Sequence, residues 1–91
     1  MIRLNVFVRV NETNREKAIE AAKELTACSL KEEGCIAYDT FKSSTRRDVF
    51  MICETWQNAE VLAAHEKSAH FAQYVGIIQE LAEMKLEKFE F

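Results

Sequence analysis

The first segment of the chain alternates without interruption. Ile2, Leu4, Val6, Val8 and Val10 are apolar, and Arg3, Asn5 and Arg9 lie between them. Successive side chains of a strand leave on opposite faces, so this period of two predicts a strand with one face buried. Phe7 stands on the other face. A sheet built on this strand needs a covering layer on its first side and has apolar surface left on its second.

That surplus runs through the chain, which has 91 residues, 48% hydrophobic and 30% charged. The length predicts one domain over 1–91, and a domain of this size buries only about two-thirds of its extended-chain surface. More apolar side chain is present than one small core needs, so either the interior is unusually dense or part of the surface is sealed by a partner subunit. The net charge of −3, with Lys/Arg mixed among Asp/Glu, excludes the concentrated basic face of a nucleic-acid binder. Neither a membrane span nor a secretory signal is expected. Cys28, Cys35 and Cys53 form no C-x-x-C pair, which fits reduced thiols and a cytoplasmic location.

The remaining elements follow from periodicity and caps. Thr13 and Glu16 are placed to form a capping box for a helix whose apolar stripe is Ala18, Ile19, Ala22, Leu25 and Leu30, with Gly34 as its stop. Two strands, Cys35 to Lys42 and Val49 to Trp56, flank a polar loop from Ser43 to Asp48. Asn58 is an N-cap for a short helix with Ala59, Leu62 and His65 on one face, and Ser68 caps the next. That second helix carries Phe71, Val75 and Ile78 on its stripe with Tyr74 beside it. The final run places Met84 and Leu86 on one parity and Phe89 and Phe91 on the other, which predicts a bulge near Glu87 and Lys88 or two halves in different surroundings. The order β-α-β-β-α-α-β predicts a ferredoxin-like α+β fold, with helices on one face of an antiparallel sheet.

Chemistry concentrates in AHEKSAHF. His65 shares the face of Leu62 and is predicted to point between helices and sheet. His70 falls in the first turn of a helix, where the dipole disfavours a cation. A neutral imidazole serves as a general base. The two histidines stand five apart across a capping serine, whereas the zinc-protease pattern needs four on one helix. A third ligand would have to come from a distant strand, as Cys53 or Glu54, so no metal site is expected. Glu54 and Trp56 share a strand face, and a buried carboxylate there predicts either a basic partner such as Arg9 or a wet cavity. Cys35 and Cys53, on neighbouring strands, could approach each other. With only Gly34 and Gly76 as glycines, no phosphate cradle can form, which argues against nucleotide-dependent chemistry.

The segments LKEEGCIAY, DVFMICETW and LAAHEKSAHF, in this order and spacing, resemble the antibiotic biosynthesis monooxygenase family, and within it the small quinol monooxygenase-like proteins. The resemblance covers most of the chain. It implies ferredoxin-like subunits whose sheets pack face to face as a homodimeric α+β barrel. It also implies oxidation of hydroquinones or polycyclic phenols by molecular oxygen, with no cofactor: no flavin, metal or haem. The pocket it implies takes His65, His70 and Phe71 from the helical side, Glu54 and Trp56 from the strands, and Asn5 and Phe7 from the first strand. Within that pocket His65 is assigned as base, His70 or Tyr74 as a second polar contact, and Trp56 as a stacking surface. The alternatives within the family are haem binding or degradation, isomerisation of a phosphorylated sugar derivative, and a non-catalytic binding module. Haem-degrading relatives carry Trp where this chain has His65, and Arg9, Arg46 and Arg47 are too scattered for a phosphate pocket.

Overall fold

Each strand forms where the apolar alternation runs, and the sheet order follows from how the strands share one buried face. In the computed structural model, which describes residues 1–91, the elements are β1 (Ile2–Val10), α1 (Glu12–Ser29), β2 (Cys35–Lys42), β3 (Val49–Trp56), α2 (Ala59–Glu66), α3 (Ala69–Leu81) and β4 (Ala82–Glu90). The order and the limits of β2 and β3 are those read from the sequence. The sheet runs β2-β3-β1-β4, and every neighbouring pair is antiparallel. The fold is the ferredoxin-like α+β sandwich. Ile2, Leu4, Val6, Val8 and Val10 of β1 form its floor with Phe50, Ile52, Trp56 and Tyr38, and Ala18, Ala22, Leu25, Leu62 and Ile78 of the helices close over them.

Four local expectations are corrected. The cap of α1 is Asn11, whose Oδ1 accepts from the Asn14 amide at 2.9 Å, so Thr13 lies inside the first turn and forms no capping box with Glu16. Asparagine is the stronger cap and stands directly after the strand. Leu30 is the C-cap, exposed rather than part of the stripe. No bulge interrupts β4, which pairs with β1 continuously from Ile2↔Glu90 to Val10↔Ala82. Its parity change reflects surroundings instead: Ala82 and Met84 pack against the core, whereas Leu86 and Phe89 beyond them are exposed. The sheet's irregularity lies in β2, between Cys35 and Ala37. Cys35 and Cys53 do not meet, because Cys35 lies opposite Trp56 on the helical face and Cys53 opposite Asn5 and Asp39 on the other. All three cysteines are free.

That other face has no helix over it. Phe7, Met51 and Phe41 form a row across three strands, and Phe7, Phe41 and Phe89 are 40%, 53% and 51% exposed. Asn5 lies on this face too, with its Oδ1 buried and without a hydrogen-bond partner.

Gly34 ends the turn after α1 and fixes where α2 begins. Its φ of 82° is a conformation that side chains disfavour, and a Cβ there would fall 2.6 Å from Val61 Cγ1. Its carbonyl accepts from the Gln57 amide at 2.9 Å. Gly76, inside α3, faces open space. Gly34→Ala is therefore expected to destabilise the fold by about 2 kcal/mol or more. Gly76→Ala is expected to stabilise it by about 1 kcal/mol. Denaturant unfolding of both variants beside the parent checks the pair of opposite signs.

Candidate functional site

Between the sheet and the helices the core leaves a cavity of about 270 Å³. Leu4, Val6 and Ile52 of the sheet, Leu25 and Leu62 of the helices, and Phe71, Val75, Met84 and Leu86 make most of its wall apolar. The polar groups at the wall are Glu54, Tyr38, His65, Glu66 and Gln79.

Glu54 faces the cavity because the register sets it opposite Leu4 and Tyr38, on the helical side. The basic partner expected for it is absent, since Arg9 pairs instead with Glu83 at 2.7 Å. Trp56 Nε1 donates to Glu54 Oε1 at 2.9 Å. Burial pushes the Glu54 carboxyl up to about 7, against the lowering effect of donations from Trp56 and Tyr38. Burial also pushes the Tyr38 phenol well above its ordinary range, with the Glu54 carboxylate adding to the shift, so Tyr38 stays a hydroxyl donor.

His65, in the last turn of α2, is 1% exposed. Its ring lies against Trp56 at 4.4 Å between centroids and meets Phe71 edge-on at 5.2 Å. Nδ1 is 2.6 Å from Glu32 Oε2. A carboxylate can only accept, so Nδ1 carries the proton and neutral His65 keeps its lone pair on Nε2. Nε2 is turned toward Glu54 Oε1 at 3.9 Å. Burial lowers the His65 pKa, with Glu32 opposing, so the ring favours its neutral form. The imidazole is thus anchored at Nδ1 and faces Glu54 with Nε2, at the edge of a mostly apolar cavity.

The sequence-predicted residues divide. His65, Glu54 and Phe71 line the cavity. Trp56 supports it from behind: it is fully buried and covered by His65, so it offers no stacking surface to a ligand. Asn5 and Phe7 lie on the opposite face of the sheet, because the parity that buries Leu4 and Val6 turns them away. Tyr74 borders a separate surface groove with Glu20 and Glu24 of α1. His70 does not reach the cavity wall; its Nε2 is 3.2 Å from Glu32 Oε2 but out of line for a hydrogen bond, and is left without a partner. Two residues were missed, Glu32 and Tyr38. Tyr38 could have been found from its even position in a strand whose register opposes Glu54. Nothing in the sequence marks Glu32, a turn residue 33 positions before the histidine it holds.

The model of the antibiotic biosynthesis monooxygenase family matches residues 1–76. The chain is 30% identical over 87 residues to YcnE of Bacillus subtilis (strain 168), provisionally named a monooxygenase, with 96% of this chain and 92% of that protein aligned. A crystal structure of a Bacteroides thetaiotaomicron VPI-5482 protein of unknown function, described as a possible oxidoreductase, superposes with a TM-score of 0.98 at 98% identity over 99% of this chain and 96% of that one. SnoaB from Streptomyces nogalater, a cofactor-independent oxygenase, has the same fold, with a TM-score of 0.88 at 8% identity over 99% of this chain and 91% of that one.

Burial of Glu54 gives a stability signature of definite sign. Its carboxyl titrates about 7 in the folded protein against 4.5 when free, so its stabilising contribution is fully present below 4.5. That contribution falls as pH rises, and the loss is complete above about 7. Glu54→Gln keeps an acceptor for Trp56 and removes the titration. The variant is expected to gain stability relative to the parent between pH 5 and 8, on the order of 2–3 kcal/mol. Melting both proteins across that range measures the gap.

Proposed function

The chain belongs to the antibiotic biosynthesis monooxygenase family, and from that membership and the chamber around His65 we propose that it oxidises a small phenol or hydroquinone with molecular oxygen. One observation carries the reading: a neutral imidazole with Nδ1 held by Glu32 and Nε2 free beside an apolar cavity. About 270 Å³ lies just below the usual range for pockets that enclose drug-sized ligands, which favours one or two rings over a polycycle. SnoaB, which shares the fold, is a cofactor-independent oxygenase, and that chemistry is the model for the reading.

His65 Nε2 takes the phenolic proton, and the anion so formed is electron-rich enough to pass one electron to oxygen. The aryloxyl radical and superoxide recombine, forming a C–O bond at an unsubstituted ring carbon. Loss of that carbon's hydrogen as a proton and cleavage of the O–O bond give a quinone and one water. Both protons of the water come from the substrate, one through His65. All four electrons that reduce oxygen come from the ring, so no external reductant enters. Glu54 in its acid form and the Tyr38 hydroxyl are the donors at hand for the developing oxyanion. His70 lies outside the cavity without a hydrogen bond to Glu32 and takes no part in these steps.

Turnover of a hydroquinone panel under labelled dioxygen is expected to place one labelled atom in the quinone and one in water. His65→Gln should lower the rate by about 10²- to 10⁴-fold while far-ultraviolet dichroism is retained. Equal rates in the two proteins would remove His65 from the mechanism.

We also propose that the uncovered sheet face closes against a second copy. The row of Phe7, Met51 and Phe41 and the unpartnered Asn5 Oδ1 support this, since apolar rows and orphaned polar atoms on one face suit an obligate interface. Sedimentation at micromolar concentration should give a dimer. Phe7→Glu, which sets a carboxylate in that row, should give a folded monomer.

A further inference from the structure

Three side chains with ligating atoms converge just outside the cavity. Glu32 comes from the turn after α1, His65 from the end of α2 and His70 from the first turn of α3, and one ligand atom of each lies within 4.8 Å of the others. His70 Nε2 and Glu32 Oε2 are 3.2 Å apart, and His65 Nδ1 and Glu32 Oε2 2.6 Å. An ion bound at about 2.0–2.1 Å in tetrahedral geometry holds its ligand atoms roughly 3.4 Å apart. The first distance already fits, and the second must open by under about 1 Å, a movement within reach of a side chain carried on a turn.

Two independent features favour a cation there. His70 Nε2 is buried and lacks a hydrogen-bond partner, an orphaned lone pair or proton aimed at the cluster. The surroundings are also short of positive charge: every lysine and arginine in an ion pair serves Glu83, Glu20, Asp48 or Glu12, and none reaches Glu32, Glu54 or Glu66. Glu54 lies 3.9 Å from His65 Nε2, on the far side of the ring from Glu32.

We infer that Glu32, His65 and His70 form a binding site for one divalent transition ion of the zinc class. Two imidazoles and one carboxylate select Zn²⁺, Co²⁺ or Ni²⁺ over Ca²⁺ or Mg²⁺, which prefer all-oxygen sets. Glu32 and His70 are 19% and 23% exposed, so the cluster lies at the edge of the core, between the cavity and the surface. Binding at Nδ1 moves the His65 proton to Nε2. The ion therefore converts the cavity's base into a donor, and where the proposed oxidation holds, the ion is its reversible inhibitor. The site itself does not rest on that reaction.

Chelator-treated protein titrated with Zn²⁺ by calorimetry, and with Co²⁺ by visible absorption, tests the site without any substrate. One ion per chain at micromolar affinity or tighter is expected, with no near-ultraviolet sulfur-to-cobalt band. His70→Ala and Glu32→Ala should each weaken binding at least about 100-fold, and Cys53→Ser should leave it unchanged. His70→Ala alters a partly exposed side chain, so its dichroism spectrum should match the parent's. Absence of stoichiometric binding, undiminished binding in the folded His70→Ala variant, or a thiolate band would each overturn the assignment. Loss of oxidation in His65→Gln with metal binding absent from the parent would refute the site and leave the reaction standing.

Discussion

The register between β1 and β3 is the constraint on which the rest of the molecule hangs. Leu4 faces Glu54 and Ile2 faces Trp56 across the central pair of strands, so all four side chains leave on the helical side. A slip of one residue would send Glu54 and Trp56 to the uncovered face and bring Cys53 and Thr55 into the core. Such a slip is opposed by Phe50, Ile52 and Trp56 of β3, which would leave the core together and uncover the apolar face of β1. The polar site is thereby held in place by residues that have no chemistry.

Within that frame the site obeys one rule, which is that burial drives its groups toward neutrality. The Glu54 carboxyl is pushed up and the His65 imidazole down by the same loss of water. Each is opposed by hydrogen bonding: Trp56 and Tyr38 donate to Glu54, and Glu32 accepts from His65. Low dielectric strengthens these contacts. It also makes the pair sensitive to any charge that enters from outside.

Much of this was legible in the sequence wherever the signal was local. The limits of β2 and β3, and the capping roles of Asn58 and Ser68, depend on residues within a few positions of one another. The placement of His65 between helix and sheet followed from its spacing to Leu62. Readings failed where a choice depended on tertiary context. Thr13 was a fair cap until Asn11 stood nearer the strand end. Asn5 and Phe7 were assigned to a pocket through a family likeness, although their parity already opposed it. Trp56 has the right chemistry for stacking but no free face, because His65 occupies it. Glu32 was invisible, since only the folded turn brings it to the histidine.

The turn at Gly34 carries a mechanical consequence. Its carbonyl is tied to Gln57 and its Cα abuts Val61, so the loop bearing Glu32 is fastened to the start of the helix bearing His65. The first fastening extends the β2–β3 ladder one step beyond the Cys35↔Trp56 pair. The position of Glu32 beside His65 therefore depends on a glycine that touches neither of them.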